Sequence, residues 1–307
     1  MSKVLVTGGA GFIGSTLVDK LIGEGNEVVV IDNLFSGRED YINPQAKFYN
    51  IDICSAEVAG IFAKENFEFV YHLAAQIDVG RSVADPINDN RINVLGGLNI
   101  LENCRVYKVA KIILASTGGA IYGETEEIPT TEYVPTYPLS PYGIHKLTLE
   151  KYLNYYYQVY NLNYTILRFS NVYGPRQYKG GEAGVIAIFI DNAVKNKESI
   201  MYGDGLQTRD FVYVDDVVRA LSLARNIDCR GEINISLGKE INLLELRKNI
   251  EEILEAPVKI KNEPGKLGEQ RRSCLSNVRA KDVLNWEPEI GLTEGVKRTI
   301  NWAKSIL

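Results

Sequence analysis

The feature that most narrows the fold is a short run near the start, Gly8-Gly9-Ala10-Gly11-Phe12-Ile13-Gly14. It follows a β-branched run, Lys3 to Thr7, and precedes a helical pattern, Ser15 to Glu24. Gly8 permits a tight turn, Gly11 lets the backbone approach an anion without a Cβ in the way, and Gly14 lets the helix pack closely on the strand. The helix start then offers unpaired N–H groups and the positive end of a dipole, as a phosphate requires. A glycine-rich turn alone is only a turn. Between a strand and a helix it predicts the pyrophosphate loop of a dinucleotide-binding βαβ unit.

Asp32 closes the next apolar run, near the spacing of about 20 residues expected of an acid that binds a ribose. An aspartate there accepts hydrogen bonds from the adenosine ribose and repels a 2′-phosphate, so the loop predicts NAD rather than NADP. Arg38 reads as a surface arginine rather than a phosphate ligand. Asn33, Ser36 and Gly37 fall in the same loop. Asp52 and Ile53 end the third strand, where they face an adenine, although an aspartate capping a helix would look the same.

Beyond this unit the chain alternates. Strands are predicted at 27–31, 47–51, 67–72, 111–116 and 164–169, several of them near-continuous Val/Ile/Leu runs suited to a parallel sheet buried on both faces. Helices are predicted at 58–65, 92–107 and 141–160 between them. The expected fold is α/β, a Rossmann-type doubly wound parallel sheet with a smaller C-terminal α/β substrate-binding lobe. Residues 1–170 would form the dinucleotide domain, with the chain returning to it around 206–238. Residues 171–205 and 239–307 would form the lobe, with helices at 185–195, 243–254 and 292–304.

Composition removes other classes. The 307 residues are 45% hydrophobic and 24% charged, the profile of an ordinary globular protein. A net charge of −5 offers no basic excess to displace counterions, so neither a nucleic acid nor an anionic membrane is expected as a partner. No apolar stretch reaches the ~18 residues of a membrane span, and the N-terminus enters a strand without a signal-peptide pattern. Cys54, Cys104, Cys229 and Cys274 are scattered, and His72 and His145 are the only histidines. No metal site is expected, and a reducing cytoplasm is the expected compartment.

The chemistry is carried by Tyr142-Gly143-Ile144-His145-Lys146, which puts Tyr142 and Lys146 on one helical face after the helix start Ser140-Pro141. A phenol with a pKa near about 10 is a poor base at neutral pH. A neighbouring ammonium favours its phenolate, and the same lysine can bond a nicotinamide ribose. With 18 tyrosines in the chain the spacing alone is weak, but beside a dinucleotide loop it becomes specific. The fifth strand ends in Ser116-Thr117-Gly118-Gly119, so Thr117, with Ser116 second, is the expected hydroxyl donor; a strand-end hydroxyl satisfying the backbone is the competing reading for one of them.

Taken together, these motifs resemble the extended short-chain dehydrogenase/reductases, specifically the NAD-dependent sugar-nucleotide epimerases typified by UDP-glucose 4-epimerase. The likeness continues through His72-Leu73-Ala74-Ala75-Gln76, Arg168-Phe169-Ser170-Asn171-Val172-Tyr173-Gly174-Pro175, Gly203-Asp204-Gly205, Arg209-Asp210-Phe211 and Asn285-Trp286-Glu287-Pro288, and so spans nearly the whole chain. It implies a UDP-hexose 4-epimerase acting on UDP-glucose and UDP-galactose. The reaction would pass through a 4-keto sugar by transient hydride transfer to tightly bound NAD, with Tyr142 as the base. It implies that Leu73 to Gln76, Asn93 and Phe169 line the dinucleotide. Asn171 and Arg209 would hold the UDP phosphates, Tyr202 and Val185 the uracil, and Glu269 the uridine ribose. A homodimer built from the helices at 92–107 and 141–160 is also implied.

Two departures qualify the resemblance. Counting back from Tyr122, the family's usual serine falls on Gly118, which moves the hydroxyl role to Thr117. An arginine common in the C-terminal phosphate loop aligns with Lys266, with Arg271 or Arg272 available to compensate. At Ser273, epimerases confined to unacetylated sugars carry a bulky tyrosine, so UDP-GlcNAc is an expected further substrate. Nucleotide-sugar 4,6-dehydratases and UDP-glucuronate decarboxylases carry an acid beside the strand-end threonine, where this chain has Gly118 and Gly119. A non-catalytic NAD-sensing protein would be expected to lose the Tyr142/Lys146 pair.

Overall fold

Seven parallel strands in the order β3-β2-β1-β4-β5-β6-β10 make the central sheet of the computed structural model, which describes residues 1–177, 184–265 and 270–306. These strands are β1 (Lys3–Thr7), β2 (Glu27–Asp32), β3 (Lys47–Asn50), β4 (Phe69–His72), β5 (Lys111–Thr117), β6 (Asn163–Phe169) and β10 (Glu232–Ile235). Side chains alternate as the pleat demands. Val4, Val6, Val28 and Val30 enter the core on the face covered by α1 (Phe12–Gly23) and α9 (Val214–Asn226). Leu5, Val29, Ile31 and Val70 enter the other core, under α2 (Val58–Glu65), α5 (Gly97–Val106) and α7 (Pro141–Tyr160).

The strand order reverses direction between β1 and β4, and there a crevice opens outside the carboxyl ends. The element that brings chemistry to it is α7. Ser140 caps that helix by accepting from the Gly143 amide at 3.2 Å, and Pro141 takes the first turn, where its missing N–H costs nothing. Asn161, in the left-handed region at φ 57°, ends it.

Two short helices, α3 (Val79–Ala84) and α4 (Pro86–Asn90), lie beside the crevice and were not foreseen. They are too short to show a period; Asp78 and Asp85 define them by capping the Arg81 and Asn88 amides at 2.9 and 3.0 Å. The helix expected to begin at Ile92 instead opens as a π-helical turn, Arg91–Gly96, ahead of α5. Between β5 and α7 lies one further short helix, α6 (Gly118–Ile121).

The remaining elements lie over the C-terminal side of the sheet. A three-stranded sheet joins β7 (Asn171–Tyr173), β9 (Thr208–Tyr213) and β11 (Glu240–Asn242), and a parallel pair joins β8 (Ser199–Tyr202) to β12 (Ile260–Glu263). Helices α8 (Val185–Val194), α10 (Leu243–Leu254) and α12 (Leu292–Ser305) pack around them, while α11 (Val278–Leu284) packs on β10 and α9. One hydrophobic core runs without a break from Val4 and Val30 into this region, through Phe211 and Val217 to the fully buried Trp286. Among the described residues no helix is long and apolar enough to cross a membrane.

Candidate active site

The crevice is a cleft of 820 Å³ whose wall begins with Gly8, Gly11, Phe12, Ile13 and Gly14. Gly8 sits at φ +73°, and a Cβ there would lie 2.7 Å from the Ala74 nitrogen; at Gly14 it would lie 2.0 Å from the Gly8 oxygen. The loop therefore closes against both its own start and the strip after β4. No side chain caps the first turn of α1, so its N–H groups remain available to a pyrophosphate. Asp32 is buried and accepts from the Ala10 and Leu34 amides at 3.0 and 2.8 Å; burial pushes its carboxyl above the ordinary range. Arg38 forks onto Asp40 at 2.8 and 2.7 Å, which engages the guanidinium a 2′-phosphate would need. These residues fit a diphosphate followed by an unphosphorylated ribose.

Asn33, Ser36, Asp52, Ile53, Leu73, Ala74, Ala75, Gln76 and Phe169 also stand on the wall. Gly37 does not; a Cβ there would come 2.9 Å from an Asp32 oxygen, so its bareness lets the loop close over that acid. Asn93 lies behind the wall. Its side chain pairs with the backbone of Gln76, accepting from the amide at 2.9 Å and donating to the carbonyl at 2.8 Å. It holds the strip rather than facing the cleft.

Tyr142, Lys146 and Glu150 form one buried face of α7. The Lys146 ammonium donates to the Ala115 carbonyl at 2.6 Å, and burial brings its pKa down to about 8 against the opposing pull of Glu150 and Asp89. Ser116 and Thr117 both reach the cleft, but their hydroxyls differ. Ser116 donates to Glu150 at 2.6 Å, and Glu150 is forked by Arg168 at 3.1 and 2.6 Å. No hydrogen bond to a described residue competes for the Thr117 hydroxyl. Gly118 faces elsewhere: a Cβ there would meet the Leu275 side chain at 2.2 Å. A serine there, where counting back from Tyr122 would put one, would have to displace the Leu275 side chain.

Sequence reasoning missed Asp89, Arg176 and Gln177, which line the same cleft. Arg176 follows Gly174-Pro175 and was within reach of the motif, whereas Asp89 lies in the short α4 and left no signal.

The residues expected around a UDP group are more dispersed. Asn171 opens β7, its side-chain oxygen 3.6 Å from where a Gly119 Cβ would stand, so it adjoins the end of β5. Arg209 lies on β9 and donates to the Thr208 carbonyl at 2.8 Å. Tyr202 ends β8, Val185 opens α8, and Ser273 is nearly buried beside Cys274. None of these five lines the cleft. Arg271 forks onto Asp204 at 2.8 and 2.9 Å, and Arg272 pairs with Glu240 at 3.0 and 2.5 Å, so either would exchange a carboxylate partner before holding a phosphate. Lys266 and Glu269 lie outside the described residues.

A doubly wound sheet with a glycine phosphate loop, a ribose acid and a Tyr/Lys pair on one helix face defines an extended short-chain dehydrogenase/reductase. The chain belongs, more narrowly, to the NAD dependent epimerase/dehydratase family, which matches residues 4–236. It is 41% identical over 309 residues to a UDP-glucose 4-epimerase of Mycolicibacterium smegmatis, covering 99% of each chain. Among solved structures it resembles a UDP-glucose 4-epimerase of Thermotoga maritima with UDP-glucose, at 44% identity, a TM-score of 0.97 and 99% of each chain. It also resembles the Thermus thermophilus UDP-glucose 4-epimerase complex with NAD, at 40% identity and a TM-score of 0.96, covering 99% of this chain and 100% of that one.

Proposed function

We propose that this protein is a UDP-hexose 4-epimerase that interconverts UDP-glucose and UDP-galactose through a 4-keto sugar. The observation that carries the reading is the convergence of Tyr142, Lys146 and Thr117 on a cleft whose other wall is the glycine loop. Bound NAD supplies a reversible acceptor for one hydride. Tyr142 takes the proton of the sugar 4-hydroxyl and later returns it. The Lys146 ammonium makes the phenolate affordable at neutral pH, and Thr117 donates a hydrogen bond to the same sugar oxygen. Loss of the donating or accepting group at a reacting oxygen costs a factor of about 10² to 10⁴. Tyr142→Phe should therefore abolish NMR-detected interconversion, assayed without added NAD, while leaving the co-purified dinucleotide in place. An unaffected rate would remove Tyr142 from the reaction.

Residues 1–170, with the return over 206–238, would hold the dinucleotide, and 171–205 with 239–307 the UDP-sugar. From the second part Asn171 and Lys266, joined by Arg209 from the returning segment, suit the diphosphate, Tyr202 and Val185 the uracil, and Glu269 the ribose. Ser273 is small where epimerases confined to unacetylated sugars carry a bulky tyrosine, which suits an N-acetyl group on the sugar. Activity on UDP-GlcNAc should exceed that of Ser273→Tyr by about tenfold or more, with UDP-glucose turnover changed less. Equal ratios in both forms would refute the pocket assignment.

A homodimer and a cytoplasmic location complete the reading. Leu95 and Val106, on the π-helical turn and α5, are exposed, as are Ile144, Tyr155 and Val159 on α7, an apolar face that a second copy would cover. The dehydratase and decarboxylase alternatives need an acid after Thr117, where α6 supplies Gly118 and Gly119. An unchanged product mass separates epimerisation from both.

A further inference from the structure

Asp89 is a carboxylate 1% exposed near the end of α4, and three donors from three different segments converge on it. One oxygen accepts from the Gln76 amide at 2.6 Å and the Asn93 amide at 3.1 Å, and the other from His145 Nδ1 at 2.5 Å. Gln76 belongs to the strip that closes on the glycine loop, Asn93 to the π-helical turn, and His145 to α7, one residue before Lys146. All three bonds are charge-assisted and shielded from water, so they are the stronger kind. A side chain offering both a donor and an acceptor cannot satisfy three donors. A carboxylate can.

We propose that Asp89 is a positioning residue that clamps the Tyr142/Lys146 face of α7 to the dinucleotide strip. The proposal rests on the epimerase reading and adds to it a source for the geometry and charge of the base. Lys146 is faced by His72 from β4, by Asp89 from α4, by Glu150 and Tyr142 from its own helix, and by the Ala115 carbonyl from β5. Arg168 forks Glu150, which offsets that carboxylate's charge. His72, when buried, carries none. Asp89 is therefore the anion facing Lys146 that no arginine among the described residues forks. Without it, burial acts on the ammonium with less opposition, and the proton leaves Lys146 at a lower pH. The phenolate of Tyr142 then loses its partner.

The test uses the wild-type holoenzyme, Asp89→Asn, His145→Leu and His145→Gln, read by interconversion of UDP-glucose and UDP-galactose across pH 6 to 10. Asp89→Asn should lower kcat by about tenfold or more, with KM for UDP-glucose changed less than about twofold, because the uridine contacts lie elsewhere. Its descending alkaline limb should move to lower pH by roughly one unit. His145→Leu should lower kcat in the same direction by a smaller factor, and His145→Gln, which restores a donor, should recover most of it. Should Asp89→Asn fail to fold, the histidine pair decides the matter alone. An Asp89→Asn enzyme with the wild-type pH profile and kcat, or a His145→Gln enzyme no better than His145→Leu, overturns the proposal. Absence of interconversion in the wild type would instead overturn the epimerase reading, so the two failures are distinguishable.

Discussion

The two ends of the candidate site are built on different principles. The dinucleotide end is made of backbone: a glycine loop, the amides of the first turn of α1, and the strip after β4, all fixed by the parallel sheet beneath. The end proposed for the substrate is made of side chains on and beside two small sheets, where Arg271 and Arg272 pair with Asp204 and Glu240 and Arg209 donates to the Thr208 carbonyl. Arg271 and Asp204 are each more than half exposed, whereas Arg168 and Glu150 are at most 3% exposed. An exposed pair adds little to stability and can be exchanged for a phosphate at little cost. Breaking a buried pair costs about 3–5 kcal/mol, because it strands a charge. Rigidity at the first end suits a cofactor that stays; exchangeable partners at the second suit a substrate that comes and goes.

The sharpest way to break this comparison is to add one methyl group at each end. Alanine at Gly14 would place its Cβ 2.0 Å from the Gly8 oxygen, with no flexible side chain to yield. Gly14→Ala should destabilise the protein by about 2–4 kcal/mol and strip the co-purified dinucleotide, read by thermal denaturation and by absorbance of the released cofactor. Alanine at Gly203 would have no described atom nearer than 3.8 Å and would suffer only the φ of +72°. Gly203→Ala should cost about 1–2 kcal/mol and leave the dinucleotide bound. Equal loss of cofactor in both variants would mean that the two ends are not separately built.

The same contrast decides how much was legible in the sequence. Six strands of the central sheet and the helices α1, α2 and α7 were readable because buried parallel strands demand continuous apolar runs, and Ser140-Pro141 marks the start of α7. The cofactor loop was readable because only glycine satisfies its contacts. The seventh strand, β10, was missed, since Glu232-Ile233-Asn234-Ile235 is short and half polar; Asn234 is fully buried but serves Tyr122 and the Thr130 carbonyl. The lobe's strands are three to six residues long and show no period. The residues expected around UDP came from resemblance alone, and two of them lie outside the described structure. Asp89 was invisible because its meaning lies in three partners far apart in the chain.

A change of pH should act on the two ends with opposite sign. At the dinucleotide end the Thr7 hydroxyl accepts from the Leu73 and Ala74 amides at 3.2 Å each, which leaves its single proton for His72 Nδ1 at 2.8 Å. His72 must therefore accept, and it stays neutral; burial, then the charge of Lys146, lowers its pKa to about 3. Below its unfolded value near 6.5 the unfolded chain takes up a proton that the folded chain refuses, so this group removes stability as pH falls from there to about 3. At the lobe end Asp210 accepts from the Leu237, Gly238 and Leu275 amides at 3.0, 3.1 and 3.3 Å, yet burial raises its pKa to about 6. Its contribution is fully present below the unfolded value of 3.8 and is lost as pH rises through about 6. Each unit of separation is worth about 1.4 kcal/mol, so acidification should loosen the cofactor strip while tightening the anchor of β9. Site-resolved NMR should find the His72 ring neutral at pH 5 and the Asp210 carboxyl titrating near pH 6. A His72 midpoint near its ordinary value would mean that the Thr7 hydroxyl points elsewhere and the strip is held by other means.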